Sequence, residues 1–243
     1  MSMDTAIEWT DATWNPTTGC TKISPGCAHC YIERTPPFRI GGRRFVKGAT
    51  DLQLHDNRLD APLHWRRPRR VFVNSLSDLY HDGIPFAFLE QVFRTMSAAS
   101  WHQFQVLTKR SSRLRALSPQ LPWPSNVWQG VSVENSAHVF RISDLQAVPA
   151  AVRFLSVEPL LGPIPNVPLA GISWVIVGGE SGPGRRPMDS GWVRDIRDQC
   201  LSQSVAFFFK QWGGRTPKAL GRELDGRTWD EMPTHSGSSP LQL

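Results

Sequence analysis

The 243-residue chain predicts an α/β fold, a partial (β/α) barrel of about six or seven units. Three observations carry this. From Val71 onward, short continuous apolar runs alternate with amphipathic stretches, the pattern of a buried parallel sheet with crossover helices. Nearly every apolar run ends in polar or charged residues, as strands do at the mouth of such a barrel. Ahead of these units, three of the four cysteines, Cys20, Cys27 and Cys30, fall within eleven residues punctuated by Gly19, Pro25 and Gly26. That segment reads as a loop on which three thiolates can converge.

In chain order, Ile7-Glu8-Trp9 is the first short apolar segment and reads as the first strand, with the cysteine loop beyond its C-terminal end. Val71–Val73 is a strand ending in Asn74, Ser75 and Asp78. Pro85 opens a helix whose Phe88, Leu89, Val92, Phe93 and Met96 recur at helical spacing. Phe104–Leu107 is the next strand and ends in Thr108, Lys109 and Arg110, before a short helix near Ser112–Leu117. Val127–Val133 is a strand with Ser132 and Glu134 at its end, and Ala137–Leu145 a helix. Val152–Val157 leads to Glu158, and Trp174–Val177 to Gly178-Gly179-Glu180. Asp189 or Ser190 caps a helix with Val193, Ile196 and Cys200 on one face, which predicts a buried Cys200. Val205–Phe209 is the last strand, before Lys210 and Gln211. The expected organisation is a first strand and cysteine loop over 1–33, a basic arm inserted at 34–70, a barrel core over 71–228 and a disordered tail over 229–243.

Thiolates are soft ligands that suit an iron–sulfur cluster or zinc. A structural zinc site takes four closed ligands, whereas three cysteines on a four-iron cluster leave one iron open for a small molecule. Two other readings stand beside the cluster: zinc completed by His29, His55 or His64, and a disulfide with a spare thiol. No apolar run is long enough to span a bilayer, and Met1–Glu8 lacks the basic and apolar regions of a signal peptide. These features predict a cytoplasmic chain, where clustered cysteines favour metal or catalysis over disulfides.

The formal charge is +6 and the pI about 9.5. Most of the basic residues are arginine, whose planar fork suits phosphate and stacks on bases. The arm holds Arg43, Arg44, Arg66, Arg67, Arg69 and Arg70, broken by Pro36-Pro37 and Gly41-Gly42. It reads either as a nucleic-acid-binding surface or as a solvated basic face. At the strand ends, Asn74, Lys109, Ser132, Glu134, Glu158, Glu180 and Arg185 are the candidate cofactor-binding residues. Alternation puts Ser132 and Glu134 on one face, a pair able to hydrogen-bond a ribose diol. The Gly178–Arg186 stretch has four glycines in seven residues, so backbone amides could approach a ligand closely. It lacks the Gly-Lys-Ser/Thr ending of a Walker loop.

The open three-cysteine loop followed by β/α repeats resembles the radical S-adenosylmethionine (SAM) enzymes. That resemblance implies a [4Fe–4S] cluster whose open iron takes the amino and carboxylate groups of SAM, with reductive cleavage to a 5′-deoxyadenosyl radical and a need for an electron donor. The spacing departs from the usual one: six residues separate Cys20 from Cys27, and two separate Cys27 from Cys30. The Gly-Gly-Glu motif also comes late, at Gly178-Gly179-Glu180, so the family's amino-group role does not transfer to it. Ser132 and Glu134 match the family's ribose-binding position better. More closely, Trp14–Cys20, Cys27–Tyr31, Ser156–Gly162, Gly178–Gly182 and Phe208–Gly213 resemble a phage-associated three-Cys-motif family of uncharacterised proteins. The function expected is radical chemistry started from SAM, on a nucleic acid or nucleotide. The alternatives are a non-catalytic metal-bearing nucleic-acid-binding protein and a zinc-stabilised nucleotide-modifying hydrolase.

Overall fold

A computed structural model describes residues 5–233. Seven strands form one parallel sheet: β1 (Ala12–Trp14), β4 (Arg70–Val73), β5 (Gln103–Thr108), β6 (Val127–Ser132), β7 (Arg153–Val157), β8 (Trp174–Gly178) and β9 (Ala206–Gln211). Two further short strands, β2 (Thr17–Thr18) and β3 (Gln53–Leu54), pair antiparallel. The helices are α1 (Pro36–Ile40), α2 (Phe86–Ala98), α3 (Ser111–Leu117), α4 (Phe140–Gln146) and α5 (Ser190–Ser202). In the main sheet the strands lie in chain order, and β1 and β9 stay unpaired with each other. The sheet is therefore a curled half-barrel of successive β/α units, the class the alternation predicts. The first strand is Ala12–Trp14 rather than Ile7–Trp9, because Ala12 and Trp14 find partners in Val71 and Val73. No helix among the described residues is long and apolar enough to cross a membrane.

Period-two alternation divides the sheet into two faces. Val71, Val73, Phe104, Val106, Leu155, Val157, Val175, Val177, Phe207 and Phe209 join the helices in the larger core. From α2 that core takes the five apolar residues at helical spacing, and from α5 it takes Val193, Ile196 and the fully buried Cys200. Asp189 caps α5, its carboxylate accepting from the amides of Gly191 at 2.7 Å and Trp192 at 3.3 Å. The inner face carries Phe72, Trp128, Phe154, Trp174 and Phe208, packed with Trp9 in a second core. Trp174 meets Trp9, Trp128 and Phe208 edge-on, with ring centroids 6.0–6.2 Å apart. Gly130 leaves room for this floor, since a Cβ there would run into the Phe154 ring.

The aromatic floor lies toward the N-terminal strand ends. Toward the C-terminal ends the same face turns polar, with Asn74, Lys109, Ser132, Glu134, Ser156, Glu158 and Lys210. The inner face is thus a cup, apolar at the bottom and charged at the rim.

Residues 229–233, the start of the stretch whose composition reads as tail, are ordered against β9. The Phe209 amide donates to the Trp229 carbonyl at 2.9 Å, and the Trp174 indole donates to the Glu231 carbonyl at 2.8 Å. The rest of that tail, 234–243, lies outside the described residues.

Candidate functional site

The cysteine loop leaves β1 and crosses the C-terminal strand ends. Gly19 pairs with Ser77 beyond β4, at a φ of +99° and so close to Asp51 that no side chain fits. Cys20, Cys27 and Cys30 are free thiols, all partly exposed. Among the described residues, no group of three or more His, Cys, Asp or Glu side chains is arranged to hold a metal ion. Two histidines weighed as zinc ligands are engaged elsewhere. His55 bonds Thr18 at 2.9 Å, and exposed His64 lies 3.1 Å from Asp60. His29 packs against Gly184.

Around Cys20 the chain has built a charged pair. Arg110 lies 3.1 Å from Asp78, donates to the Thr21 carbonyl at 3.0 Å, and lies 3.7 Å from the Cys20 sulfur. Asp78 also accepts from Thr108 at 2.7 Å and from the Lys109 amide at 3.0 Å. Burial pushes the Cys20 thiol up to about 11, with Asp78 adding and Arg110 opposing. Burial also raises Cys30.

Glu134 is the centre of the inner rim. It has no exposed surface, and its carboxylate accepts from Ser24 Oγ at 2.5 Å and from Arg141 at 2.8 Å. His138 is 3.4 Å away and Lys109 3.9 Å. Burial raises its pKa, but Lys109, Arg141 and the Ser24 hydrogen bond outweigh this and hold the carboxyl below its ordinary value. Gly26 lies against the same side chain, where a Cβ would come within 2.5 Å of it. Ser132 is buried on the same face, and its carbonyl accepts from Arg141 at 2.8 Å. A second rim pair, Lys210 and Glu158, is 2.9 Å apart.

The loop after β8 clasps the cysteine loop from the other side. Arg186 holds Glu180 through its side chain and its backbone amide, and it donates to the Pro25 carbonyl at 2.8 Å. The Arg34 guanidinium lies on Gly182, and the His29 ring lies on Gly184. Both glycines have positive φ, +101° and +74°. These glycines therefore serve contact with the cysteine segment.

The sequence-predicted residues thus separate. Ser132, Glu134, Lys109 and Glu158 gather on the inner rim, with the cysteine loop tied to Glu134. Asn74 is buried and holds Thr17 through both of its side-chain polar atoms, at 2.9 and 3.3 Å, which makes it a brace for the turn after β1. Glu180 is committed to Arg186, and Arg185 is exposed outside that pair.

The basic arm divides as well. Arg43 packs on Phe38 and donates to Thr18 at 3.2 Å, while Arg44 is exposed. Arg66, Arg67, Arg69 and Arg70 lie at the N-terminal edge of the sheet, the end away from the cysteines, since Arg70 begins β4. Arg70 is paired with Asp11 at 2.6 Å. Sequence reading missed Ser24 and Arg141 as partners. Arg141 sits in a helix with nothing local to mark it, and its role follows from burial beside Glu134 alone.

Residues 4–233 match a family described as a protein of unknown function, DUF5131. The chain belongs to this family. No curated protein matches it. A solved structure described as spore photoproduct lyase complexed with dinucleoside spore photoproduct is similar at 13% identity and a TM-score of 0.50, over 82% of this chain and 63% of that one. The family member therefore spans less than two thirds of that structure's chain, and the likeness is one of fold. That fold is the partial (β/α) barrel.

Proposed function

We propose that the chain is a radical-SAM-type enzyme in which Cys20, Cys27 and Cys30 hold a [4Fe–4S] cluster and SAM binds beside it at the mouth. The observation that carries this reading is a loop with three free thiols tied across the charged rim of a half-barrel with a sealed aromatic floor. The donor set fits the group: three soft ligands, with the fourth cysteine buried in α5. When bound, the cluster would supply the electron that cleaves SAM and starts radical chemistry, replenished by an external electron donor.

The chain's own residues bind, orient and exclude water. Lys109, Glu158 and Lys210 present alternating charge at the partly exposed rim, complementary to the amino and carboxylate groups of SAM. Ser132 and Glu134 take the ribose, a ribose hydroxyl replacing the Ser24 hydroxyl as donor to the Glu134 carboxylate. The aromatic floor closes the cup below the reacting groups. The substrate class is a nucleic acid or nucleotide. The net charge of +6 and the dinucleoside named for the structural neighbour support this.

Iron and sulfide analysis of anaerobically prepared protein, with electron paramagnetic resonance before and after SAM addition, tests the reading. Four irons per chain and a resonance that SAM perturbs are expected. Stoichiometric zinc with no iron uptake would overturn it.

A further inference from the structure

A cleft of about 400 Å³ lies outside the cup, beyond the ends of β8 and β9. Its walls are the loop carrying Arg185 to Met188 and the segment carrying Trp212 and Leu220. Trp212 is half-buried and anchored, its ring 4.7 Å from Phe209 and its indole donating to the Glu223 carbonyl at 2.8 Å. The acid in the cleft, Glu180, is neutralised by Arg186, which also ties this wall to the cysteine loop through Pro25. Arg185 is different: its side chain is exposed and makes no hydrogen bond or ion pair among the described residues. Arg215, on the loop that forms the second wall, is also exposed. An aromatic ring, a thioether and a proline beside an uncommitted guanidinium suit an unstacked base with its adjoining phosphate.

We propose that this cleft is a nucleic-acid subsite. One unpaired nucleotide stacks against Trp212, and its phosphate meets Arg185. The proposal rests on the substrate class given above and moves the contact away from Arg66 and Arg67, which lie at the opposite end of the sheet. DNA and RNA share this chemistry, so both are tested.

Anisotropy of a labelled oligothymidylate and a labelled oligouridylate is titrated with the full chain, prepared anaerobically, across a range of salt. The parent should bind at least one strand at low salt. Arg185→Gln should weaken binding severalfold and reduce the slope of log affinity against log salt by about 0.7, one single-strand phosphate contact. Trp212→Ala should weaken it about tenfold, while Trp212→Phe, which keeps a ring against Phe209, should lose less. The pair Arg66→Gln/Arg67→Gln should behave as the parent does. No binding by the parent to either strand, an unchanged slope and affinity in Arg185→Gln, or an equal loss in the Arg66/Arg67 pair would overturn the subsite. Arg185→Gln changes an exposed residue, so the decision does not depend on whether Trp212→Ala folds. Chain that takes up iron and SAM but no oligonucleotide sinks the subsite alone. Chain that binds oligonucleotide through Arg185 without iron sinks the radical reading alone.

Discussion

At the residue scale, Glu134 illustrates how one buried charge is made tolerable. A carboxylate with no exposed surface survives because Arg141, Lys109 and Ser24 surround it. Glu134→Gln should cost about 3 kcal/mol at neutral pH, read by urea denaturation, because it leaves buried Arg141 without its counter-charge. The sign of the pH dependence follows from the depressed folded value. Glu134 contributes fully above its unfolded value of 4.5 and loses that contribution as pH falls through the lower folded one. The gap between parent and variant should therefore close below about pH 4.5. A gap that stays constant into acid would show that Glu134 is not the charged partner of Arg141. Spacing put Ser132 and Glu134 on one face. It did not reveal that Ser24 of the cysteine loop, 110 positions away, already holds one oxygen.

At the element scale, two loops and one strand carry the consequences. Arg186 joins the β8 loop to the cysteine loop through a single carbonyl hydrogen bond backed by Glu180. Arg186→Ala should loosen that loop while leaving the sheet intact. In metal-free protein, Cys27 and Cys30 should then alkylate faster than in the parent, followed by mass spectrometry, with unchanged circular dichroism. Equal alkylation rates would mean that the Arg34 and His29 packing is sufficient without it. Within β6, Gly130→Ala should destabilise by about 2 kcal/mol, because its Cβ meets a buried Phe154 ring with no room to shift. Thermal or denaturant unfolding checks this, and a neutral result would mean that the aromatic floor repacks.

At the scale of the whole molecule, the half-barrel has two edges, and Trp229 to Glu231 run along that of β9. An uncovered edge strand invites pairing with another chain. A chain ending at Pro233 should behave as the parent does, whereas one ending at Thr228 should unfold at lower denaturant and associate in sedimentation. If both keep the parent's association state and stability, the segment has no edge-covering role. The cup itself is a property of the assembled sheet. Its floor draws one or two residues from each of several strands, and no stretch of sequence contains it.

Apart from β1, the sequence by itself determined the strands of the main sheet and the helices between them, because apolar runs and helical spacing are local patterns that burial on a parallel sheet enforces. Residues 71–73, 104–107 and 174–177 fall inside their strands, and Asp189 caps the helix it was expected to cap. Cysteine spacing also marked the loop. Only the tertiary structure decided what the polar strand ends do. Asn74 braces a turn, Glu134 receives the cysteine loop, and the glycines at 182 and 184 accept Arg34 and His29. It also divided the basic arm between the two ends of the barrel. Charge along a chain carries no record of direction, and a parallel sheet separates its two ends by the full length of its strands.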